Sequence, residues 1–211
     1  VGQQIVNESS QHQPRDDRYD FAQMLNDLAD DATVHYPPEK RPWTVRRSTR
    51  ARAYLRVLLA APGFRCLMLY RIARFARRSI PVIGRATSAF IFWFQRHWYN
   101  CAIASTAHIN GGVILPHPTG IVIGRAATIG PHTWIFQHVT IGGAPGKGGM
   151  PTIGHNCRIY TGAVIAGPVQ VGDHVNVTAN AVVSFDVPSG STVRAARAVI
   201  INGADITCTE D

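Results

Sequence analysis

The stretch TIGHNCRIYTGAVIAGPVQVGDHVNVTANAVV, residues 152–183, repeats on a period of six. Ile153, Ile159, Ile165, Val171, Val177 and Val183 mark it, and Cys157, Ala163, Val169, Val175, Ala181 and Val187 follow them four positions later. A helix returns to one face after 3.6 residues and a strand after two, so neither sustains this spacing. A six-residue repeat held over many turns is the signature of a parallel β-helix in which each hexad forms one short side. The aliphatic residue points inward and the small one lets successive coils stack.

Towards the N-terminus the period continues through Ile141, Ile135, Ile129 and Ile123, slips by two residues, and resumes at Leu115, Ile109 and Ile103. Val139, Thr133, Ala127, Thr119, Val113 and Ala107 take the small position. Gly124, Gly130, Gly142, Gly154 and Gly172 follow aliphatic residues at the corners, where unusual backbone angles favour glycine. Between Ile141 and Ile153 lies GGAPGKGGMP, read as a loop extruded over about 143–151. Loops mounted on rigid scaffolds often carry function.

Before residue 100 the pattern is helical. Phe21, Met24, Leu25 and Leu28 stand at helical spacing, a second helical run over 48–78 is broken at Pro62, and a third apolar stretch covers about 82–99. The expected organisation is a helical region 1–100, a β-helix 101–193 and a tail 194–211.

A chain of 211 residues can bury a real core, and 16% charged residues with 19 Gly and 13 Pro argue against long disordered or coiled-coil regions. The four cysteines are widely spaced and form neither a metal motif nor a disulfide framework, so a reduced, cytoplasmic setting is expected. The first 20 residues lack a secretory pattern, and ATSAFIFWFQ at 86–95 is about half the length that spans a bilayer.

The net charge of +8 is concentrated. Residues 1–39 hold eight acids and two arginines, residues 40–100 hold fourteen Lys or Arg and no acid, and residues 101–211 balance at five each. Arg71, Arg74 and Arg78 form a stripe opposite Leu69, Ile72 and Phe75. Two readings stay open: a solvated face that also packs on the acidic head, or peripheral contact of the basic helices 48–78 with the inner membrane face. Nucleic acid is not expected, because no DNA- or RNA-binding motif accompanies the charge.

LPHPTGIVIGRAATIGPHTWIFQHVTIGG (115–143) and PTIGHNCRIYTGAVIAGPVQVGDHVNVTANAVV (151–183) resemble hexapeptide-repeat acyltransferases of the serine acetyltransferase type. The likeness covers about 55–193, since APGFRCLMLYRIARF (61–75) resembles the helix that precedes the β-helix there. The pattern looks closest to O-acetyltransferases of polysaccharide biosynthesis. The resemblance implies a left-handed β-helix, a homotrimer or a dimer of trimers, acetyl-CoA in a groove between subunits, no metal, and an essential histidine beside the groove.

That histidine falls on His117, with Thr119 and Gly120 completing the motif. The family aspartate before it is Pro116 here, a second aspartate that orients the ring falls near Ala102, and an Arg-His pair closing the loop is replaced by Gly149 and Met150. Those charged groups hold a zwitterionic acceptor, so their replacement favours a neutral hydroxyl, such as a saccharide's, over L-serine. Serine O-acetylation is the alternative. Imidazole suits proton removal from an attacking alcohol at neutral pH, and no serine or cysteine stands in a nucleophile motif. A backbone carbonyl, water or another residue would orient the ring.

His138 and Met150 are candidates for the acceptor side. Gly142 and Gly143 are candidate oxyanion donors. Thr161, Gly162, Ala163, Thr178, Ala179 and Asn180 match the small-residue coils along the pantetheine, and Arg194 and Arg197 are candidates for the CoA phosphates. His108, His132, His155 and His174 are expected at solvent-facing corners. A zinc carbonic anhydrase on this scaffold needs three histidines on adjacent faces, and the positions one and two coils beyond His155 offer none. A non-catalytic trimeric β-helix scaffold is the reading from another class.

Overall fold

The computed structural model describes residues 19–35 and 55–196. From residue 102 the chain winds into a parallel β-helix of about five turns. Its first side stacks β1 (Ala102–Ile103), β3 (Val122–Ile123), β6 (Thr140–Gly142), β9 (Val164–Ala166) and β12 (Val182–Val183). The second stacks β2 (His108–Ile109), β4 (Thr128–Ile129), β7 (Thr152–Ile153) and β10 (Gln170–Val171). The third stacks β5 (Trp134–Ile135), β8 (Arg158–Ile159), β11 (Asn176–Val177) and β13 (Thr192–Val193).

Each strand pairs in parallel with the strand one turn on, in a register that sets Ile103, Ile123, Ile141, Ile165 and Val183 over one another. These stacks are the core, with Ile129, Ile135, Ile141, Ile159 and Ile165 wholly buried. Each such side chain contributes about 1.5–3 kcal/mol relative to exposure.

Two details of the repeat differ from expectation. Thr119 is exposed, and Ile121 takes the inward place instead, because the two extra residues of the slip make a bulge over 116–119 in which His117 and Thr119 face out and Pro118 stays buried. Gly124, Gly130, Gly142, Gly154 and Gly172 do not have positive φ. At Gly130, Gly154 and Gly172 the reason for glycine is room. A Cβ on Gly130 would lie 2.5 Å from the Gly154 carbonyl, and one on Gly172 would lie 2.5 Å from Ser189 N.

Three helices precede the coils: α1 (Phe21–Val34), α2 (Pro62–Ser79) and α3 (Pro81–Trp98). Asp20 caps α1 by accepting from Gln23 N at 2.7 Å, while α2 and α3 start on prolines, which are tolerated where helix N–H groups are unpaired anyway. A short helical stretch, 55–60, leads into α2.

The basic stripe is solvated only at its end, at Arg78. Arg71 and Arg74 are buried, whereas Ile72 is exposed. Arg71 donates to Asp27 Oδ2 at 2.9 Å and Asp31 Oδ2 at 3.1 Å, so the acidic and basic segments meet as a buried ion cluster. Phe21 and Leu25 accordingly point outward on α1, and Met24, Asp27, Asp31 and Ala32 point in. The cluster also closes the open end of the β-helix. N–H groups of each coil donate to carbonyls of the next, which leaves carbonyls of the first coil without a coil beneath them. Arg71 donates to Ile109 O and, at 2.8 Å, to Asn110 O; Arg74 and Tyr70 donate to Ala107 O; Tyr70 Oη accepts from Ile109 N at 3.2 Å. An exposed strand edge is thereby covered.

Candidate active site

The corner from the third side into the first carries most of the candidate residues. Asn100, Gly120, His138, Gly162 and Asn180 occupy equivalent levels there, all with positive φ between 47° and 71°. Backbone bonds tie the levels together: Gly120 N to Asn100 O at 2.6 Å, His138 N to Thr119 O at 3.0 Å, Gly162 N to Gln137 O at 3.1 Å and Asn180 N to Thr161 O at 2.9 Å. Side chains lean down the stack. A Cβ on Gly120 would meet His138 Nδ1 at 2.2 Å, and one on Gly162 would meet Asn180 Oδ1 at 2.2 Å.

His117 stands on the bulge made by the slip. Leu115 and Ile123 are eight residues apart, against six for Ile135 and Ile141, and the surplus projects outward. Pro118 restricts His117 to extended backbone, and Pro116 fixes its own φ, so the bulge is stiff. The His117 ring is exposed, and no described residue hydrogen-bonds it. Ala102, where the resemblance expects an orienting aspartate, lines an open cavity of about 600 Å³ with Asn100, Gly120, Val122 and Phe92.

Gly142, Gly143 and Met150 lie at the opposite edge of the first side. Gly142 pairs with Ala166 and its carbonyl accepts from Gly167 N at 3.0 Å, while Gly143 is exposed. The loop between β6 and β7 turns tightly at Pro145–Gly146, with Lys147 N donating to Ala144 O at 3.1 Å and Gly146 at φ 71°. Its end folds back so that Met150 covers two glycines. A Cβ on Gly124 would lie 2.5 Å from Met150 Cε, and one on Gly143 would lie 3.3 Å from Met150 Sδ.

The remaining candidates divide. Thr161 and Gly162 are half-buried on the His138 corner and Ala179 is exposed there, but Ala163 points into the core and offers no side chain to a ligand. Thr178 Oγ1 is engaged, accepting from Ala195 N at 3.1 Å. Arg194 is exposed near the top of the stack, and Arg197 lies outside the described residues. Phe136 and Tyr160 stack at 5.2 Å beside this corner; the recurrence of an aromatic after Ile135 and Ile159 is the signal that would have marked them.

Of the four other histidines of the β-helix, His132 and His174 are exposed corner residues. His155 faces Asp173 at 3.2 Å and Asn156 at 2.8 Å. His108 is not at a corner: it sits in β2 with Nδ1 3.1 Å from Arg74 Nη2.

Residues 150–184 match the family described as bacterial transferase hexapeptide (six repeats). A serine acetyltransferase of Helicobacter pylori (strain J99) is 37% identical over 154 residues, which is 72% of this chain and 88% of that protein. One from Synechococcus elongatus is 36% identical over 150 residues, 70% of this chain, and the chain spans only 60% of that relative's length. Among solved structures, Neisseria gonorrhoeae serine acetyltransferase in complex with serine superposes with a TM-score of 0.68 at 27% identity, covering 83% of this chain and 68% of that one. These relatives are named for serine, which does not support the special closeness to polysaccharide O-acetyltransferases read from the motifs. Coil, corner and sequence agree: the chain belongs to the hexapeptide-repeat acyltransferases of the serine acetyltransferase type.

Proposed function

We propose that this chain is an acetyl-CoA-dependent O-acetyltransferase in which His117 is the general base. The carrying observation is the bulge at 116–119, which departs from an otherwise regular coil and presents one exposed imidazole between two prolines. The ring takes the proton of the acceptor hydroxyl as its oxygen attacks the thioester carbon. The C–S bond then breaks, and the proton passes to the departing thiolate of CoA. His138, one level up on the same corner, is placed to contact the acceptor.

His117 and Met150 occupy opposite edges of the first side, an arrangement that suits a groove shared between subunits of a trimer. One subunit's histidine edge would then face the next subunit's loop edge, with Gly142 and Gly143 offering backbone donors and the Thr161–Gly162 level flanking the pantetheine.

L-serine is the acceptor that the relatives support best. A neutral hydroxyl, such as a saccharide's, is the second reading, and it rests on a specific observation: the Met150 thioether, not a charged group, packs over Gly124 and Gly143, and Pro116 stands beside His117. One assay separates the two. CoA thiol release from acetyl-CoA is followed with L-serine and, in parallel, with sugars and nucleotide sugars. Release with serine establishes the first reading, and release confined to a sugar establishes the second. Acetyl-CoA binding without turnover for any acceptor would make the chain a non-catalytic scaffold.

A further inference from the structure

Helix α3 is built inside out. Its inward face carries Gly84, Ser88, Ile91 and Gln95. Gly84 lets α3 cross α2 closely, since a Cβ there would lie 1.8 Å from Ala76 O. Ser88 Oγ donates to Ser105 Oγ at 2.6 Å, and Gln95 Nε2 donates to Cys66 O at 2.8 Å. The outward face carries Val82, Ile83, Ala86, Ala89, Phe90 and Trp93, all exposed, with Val82 at 81% and Phe90 at 63%. These residues recur at helical spacing, so they form one apolar stripe along most of a helix about 27 Å long. A soluble surface seldom shows so continuous an apolar strip unless something covers it.

The charges beside the stripe indicate what does. Arg77, Arg78 and Arg85 gather around one cavity of about 300 Å³ at the start of α3, and Arg96 is exposed near its end. Helix α3 contains no acid. Tryptophan and phenylalanine on one face, with arginines at both ends, is the pattern of a helix lying in a membrane interface. No helix among the described residues is long and apolar enough to cross a membrane, which leaves lying on it. A second copy offers this rim few acids among its described residues. Among the described residues, the acids outside the Arg71 cluster are Asp20, Asp30, Asp173 and Asp186. Asp173 and Asp186 are already engaged on the β-helix.

We propose that the outward face of α3 docks on an anionic lipid bilayer, with Phe90 and Trp93 entering the interface and Arg85 meeting headgroup phosphates. Of the stripe over 48–78, Arg71 and Arg74 are committed inside the protein, and only its end, at Arg77 and Arg78, borders this surface.

The test is co-sedimentation of the full chain with phosphatidylcholine vesicles, with and without phosphatidylglycerol. Binding is expected only when phosphatidylglycerol is present, and it should weaken with salt. The double variant Phe90→Ser/Trp93→Ser should lose about tenfold or more in partitioning, and Arg85→Glu several-fold. Phe185→Ser, which removes an exposed aromatic from the β-helix instead, should bind unchanged. Absence of binding, or binding indifferent to Phe90 and Trp93, would overturn the proposal. So would sedimentation velocity showing that Phe90→Ser/Trp93→Ser breaks a larger assembly while vesicles are ignored, because the stripe would then belong to a second copy.

Discussion

The His138 ring rests on Gly120, and a Cβ on Gly120 would come within 2.2 Å of Nδ1. This contact joins the level that carries His138 to the bulge that carries His117. Gly120→Ala should therefore act twice. It strains a backbone at φ 71° and displaces the imidazole above, for a combined loss of about 1–3 kcal/mol. Thermal unfolding measures the first effect. A fall in kcat/KM larger than that of His138→Ser would show that the bulge itself has moved.

Replacing His117 by Ala should lower CoA release about 10²–10⁴-fold, the usual range for a lost general base. The ring is exposed and makes no hydrogen bond with a described residue, so the unfolding temperature should stay within about a degree of the parent. A variant that loses stability as well as rate would assign the residue a structural role.

The loop end offers a direct test of acceptor recognition. Met150→His restores a cation-forming ring where the resemblance expects one, whereas Gly149, at φ 103° with Pro168 Cβ 2.7 Å from an added Cβ, has no room for a side chain. One charge-assisted bond to a carboxylate is worth about 1.5–3 kcal/mol. Turnover with L-serine should rise about tenfold or more in kcat/KM. An unchanged value would mean that this loop does not hold the serine carboxylate.

The buried ion cluster should respond unequally to its two sides. Arg71→Met should cost about 3–5 kcal/mol, since it strands two carboxylates and uncovers carbonyls of the first coil. Burial pushes the Asp31 carboxyl up to about 6, against the opposing pull of Arg71. A raised carboxyl takes up its proton in the folded chain before the unfolded one. This group's contribution to stability thus grows as pH falls from 7 through 6 towards 4, by on the order of 2 kcal/mol. Asp31→Asn mimics the protonated form and should stay within about 1 kcal/mol of the parent at pH 7. Denaturant titrations of parent and variant between pH 4 and 7 measure this, and the parent alone should gain stability on acidification.

Stacking is also tight at the corner that holds Gly154, where a Cβ would lie 2.2 Å from Asp173 Oδ1 and 2.8 Å from Asp173 N. Gly154→Ala should destabilise by about 1–3 kcal/mol through overpacking. Gly142→Ala, with open space around it, should change stability far less.

The coils were legible because one residue in six must be aliphatic for the stack to exist, and Ile129, Ile135 and Ile141 could not serve any other period. The helices were not legible in the same way. Met24 and Leu25 both look like core residues by spacing, but only Met24 is buried, because Arg71 draws Asp27 and Asp31 inward and turns α1 with them. Periodicity counts apolar residues and cannot see a buried pair formed 40 residues away. His117 was found through its motif and the slip around it, whereas the stacked Phe136 and Tyr160 take neither the inward nor the small position of the repeat. At Gly130, Gly154 and Gly172 glycine is needed for a different reason: close approach of the next coil, not left-handed backbone.

The third-to-first corner gives the same backbone shape at five successive heights, filled in turn by Asn100, Gly120, His138, Gly162 and Asn180. Such a corner behaves as a rack of interchangeable sockets. A side chain that tolerates the shape can be exchanged where the height below it is glycine, as Gly120 is below His138 and Gly162 below Asn180, and the backbone bonds between heights remain. Chemistry along this edge can therefore drift from one acceptor to another while the coil that holds it stays as it is.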